Sequence, residues 1–128
     1  MKLMKLEIVT PEGITYDSEV KQVTLPGAEG EFGVLAEHAT LVSLLKAGVI
    51  TIETKDSKTI DVAINSGYVK VDESKVSCIV DGAVALTAGD NDIAKKIEEA
   101  KILLKGAQAD NTAIASAIGK VERIGTSY

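Results

Sequence analysis

Aromatic rings are scarce in this 128-residue chain: tryptophan is absent, and Phe, Trp and Tyr together make up 3% of it. Any core must therefore be aliphatic, and the chain offers no run of rings on which bases or sugars could stack. A single cysteine, Cys78, excludes an internal disulfide and fits a reducing compartment. A single histidine, His38, has no Cys or second His near it, so a metal triad is not expected. No run of about 18 uncharged apolar residues is present, so no segment is expected to span a bilayer. The opening MKLMKLEIV lacks the apolar stretch of a secretory signal. Basic charge is also short. The net charge of −5 disfavours nucleic acid and anionic lipid as direct partners. What remains is a soluble intracellular protein, either one compact domain or a small domain with an appendage.

What the chain does have is 45% apolar residues arranged in two periods. From residue 5 to about 87 the period is two. Ile50 and Ile52, then Ile60, Val62 and Ile64, alternate with Thr51, Glu53, Asp61 and Ala63; Val69 and Val71 alternate with Lys70 and Asp72; Val76, Cys78 and Val80 with Ser77 and Ile79. Alternation in short runs marks half-buried strands. Lys55-Asp56-Ser57-Lys58 and Asp72-Glu73-Ser74-Lys75 supply hairpin turns between them. Strands at this spacing, with no helical pattern between, predict a sandwich or barrel of antiparallel strands, and the fold expected over residues 1–87 is an antiparallel β-sandwich.

Beyond Gly89 the period is helical. Ile93, Ile97, Ala100 and Leu104 draw one apolar stripe, with Asp90 or Asn91 as cap and Gly106 as stop. Ile114, Ala117, Ile118 and Val121 draw a second. The spacing predicts an antiparallel α-helical hairpin over residues 88–128, giving an α+β protein. Both stripes are rich in alanine, so each helix buries little area and needs a partner surface, such as its own sandwich. Charge divides at the same seam. Residues 1–90 hold 8 Lys against 14 acids, and residues 91–128 hold 6 Lys and Arg against 5. The charge pattern alone is met by a solvated helix face with pairs such as Lys95–Glu99, or by an arm that seeks an acidic surface.

No constellation of catalytic residues stands out. The stretch LPGAEGEFGVLAEHATL (25–41) carries Gly27, Gly30 and Gly33, but lacks the Lys and hydroxyl that follow the second glycine of a phosphate loop. No helix follows it at once. Ser43 and Cys78 lack the local signature of an activated nucleophile, and Cys78 reads as core. Glu29 and Glu31 read as an acidic contact patch on a loop or edge. No catalytic residue, metal site or cofactor is expected.

LPGAEGEFGVLAEHATLVSLLKAGVI (25–50) closely resembles the signature of the epsilon subunit of the F-type ATP synthase, with Gly27, Gly30, Gly33, His38, Leu41 and Gly48 in place. SGYVKV (66–71), KVSCIV (75–80) and the helical region at 90–124 extend the resemblance over nearly the whole chain. Ala36 and Thr40 stand where the family usually has prolines. The resemblance implies a non-catalytic rotor subunit at the foot of the central stalk. Its partners would be the gamma subunit and the c ring, and transiently the alpha/beta catalytic head. It would lie peripherally on the cytoplasmic face of the bacterial inner membrane, without insertion, and couple proton translocation to ATP synthesis. Glu29, Gly30, Glu31 and His38 are then the candidate partner-binding residues. Lys95, Lys96, Lys101, Lys105, Lys120 and Arg123 are the cations of a regulatory arm that restrains ATP hydrolysis. The alternative is a free nucleotide sensor whose hairpin closes on ATP, with Asp92 and Lys95 as contacts. Lys95 and Lys96 replace the Arg and Ala of ATP-binding members, and lysine lacks the planar fork that holds a nucleotide bidentately.

Overall fold

The structure, a computed structural model, describes residues 2–37, 39–87, 92–107 and 111–127. Nine strands come first: β1 (Met4–Thr10), β2 (Gly13–Gly27), β3 (Gly30–Leu35), β4 (Leu41–Leu45), β5 (Gly48–Thr54), β6 (Thr59–Ile64), β7 (Gly67–Val71), β8 (Lys75–Val80) and β9 (Ala83–Leu86). Two helices follow, α1 (Ile93–Lys105) and α2 (Asn111–Ser127). The period-two reading locates the core: Ile50, Ile52, Val62, Ile64, Val69, Val71, Val76, Cys78 and Val80 are all buried in one cluster. The two expected turns form as well. The Asp72 carboxylate accepts the N–H groups of Ser74 and Lys75 at 3.1 and 2.8 Å. The Thr54 N–H donates to the Lys58 carbonyl at 2.9 Å.

Strand pairing follows the order β1-β8-β7-β4-β2-β5-β6-β9, with β3 on β2 and a further β1–β2 pairing. The long β2 serves both layers. Its first part pairs with β1, and its second with β3 and β5. Among the described residues the sandwich is antiparallel at every pairing but one, since β1 runs parallel to β8. That exception follows from topology: the antiparallel partners of β1 and β8 in chain order, β2 and β7, occupy their other edges.

Stretch 25–41 is less of a loop than its glycines suggested. Residues 25–27 end β2, Ala28 and Glu29 make the turn, and β3 takes Gly30 to Leu35. In α1 the cap position is Asp92, one or two residues later than expected, and its side chain makes no capping hydrogen bond. Asp90 and Asn91 lie outside the described residues. Gly106 ends the helix at φ −83°, with its N–H donating to the Ile102 carbonyl at 3.1 Å. The end is thus an ordinary α-turn with no left-handed residue.

The helices lie against the sandwich. Ala100 and Leu104 of α1 and Ala117 and Val121 of α2 bury a second, smaller cluster with Ala47, Val49, Ala63 and Leu86. These sandwich residues sit on the outer side of the β5-β6-β9 layer, since Ile50, Ile52, Val62 and Ile64 point the other way into the main core. Burying small side chains brings the backbones close at the cost of area, about 25 cal/mol per Å2 of apolar surface.

Candidate functional site

The tip of the β2–β3 hairpin is built by two glycines for different reasons. A Cβ on Gly27 would lie 2.7 Å from the Gly30 carbonyl oxygen and 2.8 Å from the Phe32 ring, so the strands close tightly only without one. Gly30 has φ +135°, a conformation side chains rarely adopt. The tip is tied to β4 by Ala28 N–H to the Leu44 carbonyl and Lys46 N–H to the Pro26 carbonyl, each 2.9 Å. Held there, Glu29, Gly30 and Glu31 are all exposed. Glu31 is already engaged: its carboxylate accepts a hydrogen bond from the Lys120 ammonium of α2. His38 lies outside the described residues. Its neighbour Glu37 has φ 68°, and the Glu37 N–H donates to the Glu73 carbonyl at 2.9 Å, fixing that segment to the β7–β8 turn.

A second feature lies on the face away from the helices. Leu44 is opposite Tyr68, Tyr68 opposite Ile79, Ile79 opposite Val9, and Val9 opposite Ile14, across β4, β7, β8, β1 and β2. Leu44 is 67% exposed, Tyr68 43%, Ile79 42% and Ile14 64%. Five apolar residues in register form an unbroken band, and Val42, also exposed, widens it on β4. Charged residues border the band, with Lys5 of β1 and Asp17 of β2 paired at 2.9 Å. An apolar centre with a polar border is the anatomy of a protein interface. The period-two reading held the signal for it: outward positions 44, 68 and 79 carry Leu, Tyr and Ile where a solvated strand has polar residues.

The third feature is an open cleft of about 800 Å3 between α2 and the sandwich. Tyr16, Val49, Ile60 and Ile124 line its apolar part, and Lys58 and Arg123 bring charge. Asp61 also faces it. Alternation placed Asp61 on a solvated face, but α2 covers that face and leaves the residue only 8% exposed. Burial pushes its carboxyl above the usual carboxylate range, against the opposing pull of the Thr51 hydroxyl, 3.0 Å away, and of Lys120.

The arm's cations do not share one surface. Lys95 and Lys105 are exposed on α1, and Lys96 is half-buried. Lys101 faces Glu98 and Glu122 at 3.7 and 3.9 Å, tying α1 to α2. Lys120 reaches Glu31, and Arg123 lines the cleft. Asp92 and Lys95 stand at the start of α1, and neither lines the cleft. Cys78 is buried in the main core, with its thiol pushed up to about 12 by burial. Among the described residues, no cluster of three or more His, Cys, Asp or Glu could hold a metal, and no helix is long and apolar enough to cross a membrane.

Residues 3–86 match the family described as ATP synthase, Delta/Epsilon chain, beta-sandwich domain. An ATP synthase epsilon chain from Sulfurovum sp. is 66% identical over 128 residues, covering all of both chains. That of Nitratiruptor sp. is 50% identical over 124 residues, covering 96% of each. In fold, the chain is similar to one in the Euglena gracilis mitochondrial ATP synthase OSCP/F1/c-ring structure, with a TM-score of 0.65 at 22% identity over 98% of this chain and 81% of that one. It is also similar to one in the Tetrahymena thermophila mitochondrial ATP synthase central stalk and c-ring structure, with a TM-score of 0.54 at 14% identity over 98% and 96% of the two. With identity at these levels over essentially its whole length, the chain belongs to the ATP synthase epsilon chain family.

Proposed function

We propose that this chain is the non-catalytic central-stalk subunit of an F-type ATP synthase. In this reading the sandwich, residues 1–87, docks on gamma and the c ring at the cytoplasmic face of the bacterial inner membrane. It turns with them as proton translocation drives ATP synthesis. The arm, residues 88–128, restrains ATP hydrolysis by transient contact with the alpha/beta head. The observation that carries the reading is the apolar band from Leu44 to Ile14 on the face the arm leaves open. An apolar surface of this width suits a large protein partner rather than a small substrate. The relatives' names and the stalk assemblies in which similar folds occur support the same choice.

Capture by a gamma–c-ring assembly tests it. The wild-type chain should be retained, and Leu44→Asp combined with Tyr68→Asp should abolish retention while the free protein keeps its melting temperature. Retention of that double variant at wild-type affinity would remove the band from the interface. The sensor reading has the cleft in its favour, but Asp92 and Lys95 lie outside it. Millimolar ATP is expected to leave the melting temperature of the free chain unchanged, and a clear rise would favour the sensor.

A further inference from the structure

Lys120 joins the arm to the tip of the β2–β3 hairpin. It rides on α2, the arm, yet its ammonium bonds Glu31 at the start of β3, on the exposed tip. Beneath it lies Asp61 of β6, so the arm's cation sits over two sandwich carboxylates from different strands. Lys101, by contrast, meets acids of the arm itself, Glu98 and Glu122.

We infer that Glu31 is a shared contact: the seated arm and the partner that binds the tip compete for its carboxylate, so docking of the tip loosens the arm. The inference rests on the proposed function and extends its docking surface from Leu44 of the band to the tip, which the Ala28 N–H ties to the Leu44 carbonyl. The partner chemistry required is a donor, a cation or an N–H cluster, brought up to an exposed carboxylate whose present donor is Lys120. Such a partner must displace Lys120, and Lys120 must be displaced for Glu31 to be fully available. The two events are linked and reciprocal. The pair is solvent-exposed, so its weight is small, and the linkage amounts to about a two- to fivefold effect on each equilibrium. Asp61 keeps the displaced Lys120 from being left without an acid nearby, which makes the loosening graded rather than complete.

Two measurements test this. In the free full-length chain, hydrogen exchange of residues 114–124 is followed in wild type, Glu31→Gln, Lys120→Gln and the double variant. Each single change should speed exchange by about two- to fivefold, and the double variant should do no more than the larger single. Additive effects, or none, would show that the pair does not hold the arm. On the gamma–c-ring assembly, Lys120→Gln should bind about two- to fivefold more tightly than wild type, with Lys21→Gln, whose ammonium bonds Ser57 of the sandwich, as the unchanged control. Equal or weaker binding by Lys120→Gln overturns the competition. Failure of every variant, wild type included, to bind the assembly overturns the docking reading instead, and leaves the hydrogen-exchange result to judge the latch.

Discussion

A methyl group on Gly67 would lie 2.3 Å from the Ile79 carbonyl oxygen and 2.8 Å from the Val80 Cα, both backbone atoms of the neighbouring strand. Gly67→Ala must therefore push β7 from β8 and should cost about 1–3 kcal/mol in thermal or denaturant unfolding. Gly119 is the opposite case, since a Cβ there meets nothing. Gly119→Ala should stabilise α2 by up to about 1 kcal/mol, read as slower hydrogen exchange in that helix. Asp61 supplies a pH dependence. Its carboxyl is held above its ordinary value of 3.8 by burial under α2, so the seated arm favours the protonated form. Stability from this group is present at low pH and falls as pH rises from the ordinary value through the raised one. Asp61→Asn, which can still accept the Thr51 hydroxyl, should be the more stable protein at neutral pH and lose that advantage near pH 3, as measured by urea midpoints. None of this was visible at position 61 in the sequence. Alternation marks which face of a strand a residue is on, and says nothing of what later covers that face.

At the scale of elements, the strands were legible because each satisfies a local rule. Ile60, Val62 and Ile64 alternate, Asp72 and Ser74 make a turn, and the register follows from the pleat. The helices were legible from their stripes, with Ala100, Leu104, Ala117 and Val121 all buried. Illegible were the contacts set by long-range topology. The parallel β1–β8 pairing joins residues 5–9 to 75–79, and the Glu31–Lys120 pair spans 89 positions. No local period encodes either. The candidate site was half legible: the motif located Glu29, Gly30 and Glu31, while the apolar band emerged only when four registers placed Leu44, Tyr68, Ile79, Val9 and Ile14 in one row. The arm's hold on the sandwich should be the weaker of the two cores. Leu104 is fully buried in the small cluster, and Leu104→Ala should cost about 2–5 kcal/mol there. The expected signature is fast hydrogen exchange throughout α1 and α2 with β-strand protection unchanged; a single cooperative loss of both would make arm and sandwich one folding unit.

Taken whole, the molecule is a sandwich with its larger core closed before the arm begins, because every fully buried residue of that core lies between Met4 and Val80, and Ala83 and Ala85 of β9 complete it. A chain ending at Thr87 should then fold, showing strand and almost no helix by circular dichroism, and should still assemble with its partners. If the arm restrains the catalytic head, ATP hydrolysis by that assembly should rise relative to the full-length form. The rise should shrink at high salt, where ion pairs of this kind are screened. The lone parallel pairing bears on how such a chain is made. As it emerges from the ribosome, β1 can pair with β2 almost at once, but its other edge is filled only by residues 75–79. At typical elongation rates that wait is roughly 3–15 seconds. Throughout it, the newborn protein carries an open strand edge, the template on which chains stick to one another. Lys5 and Glu7 stand on that strand and are ion-paired once it is in place. Charges so placed are of the kind that keeps an unfinished strand edge in water until its partner arrives.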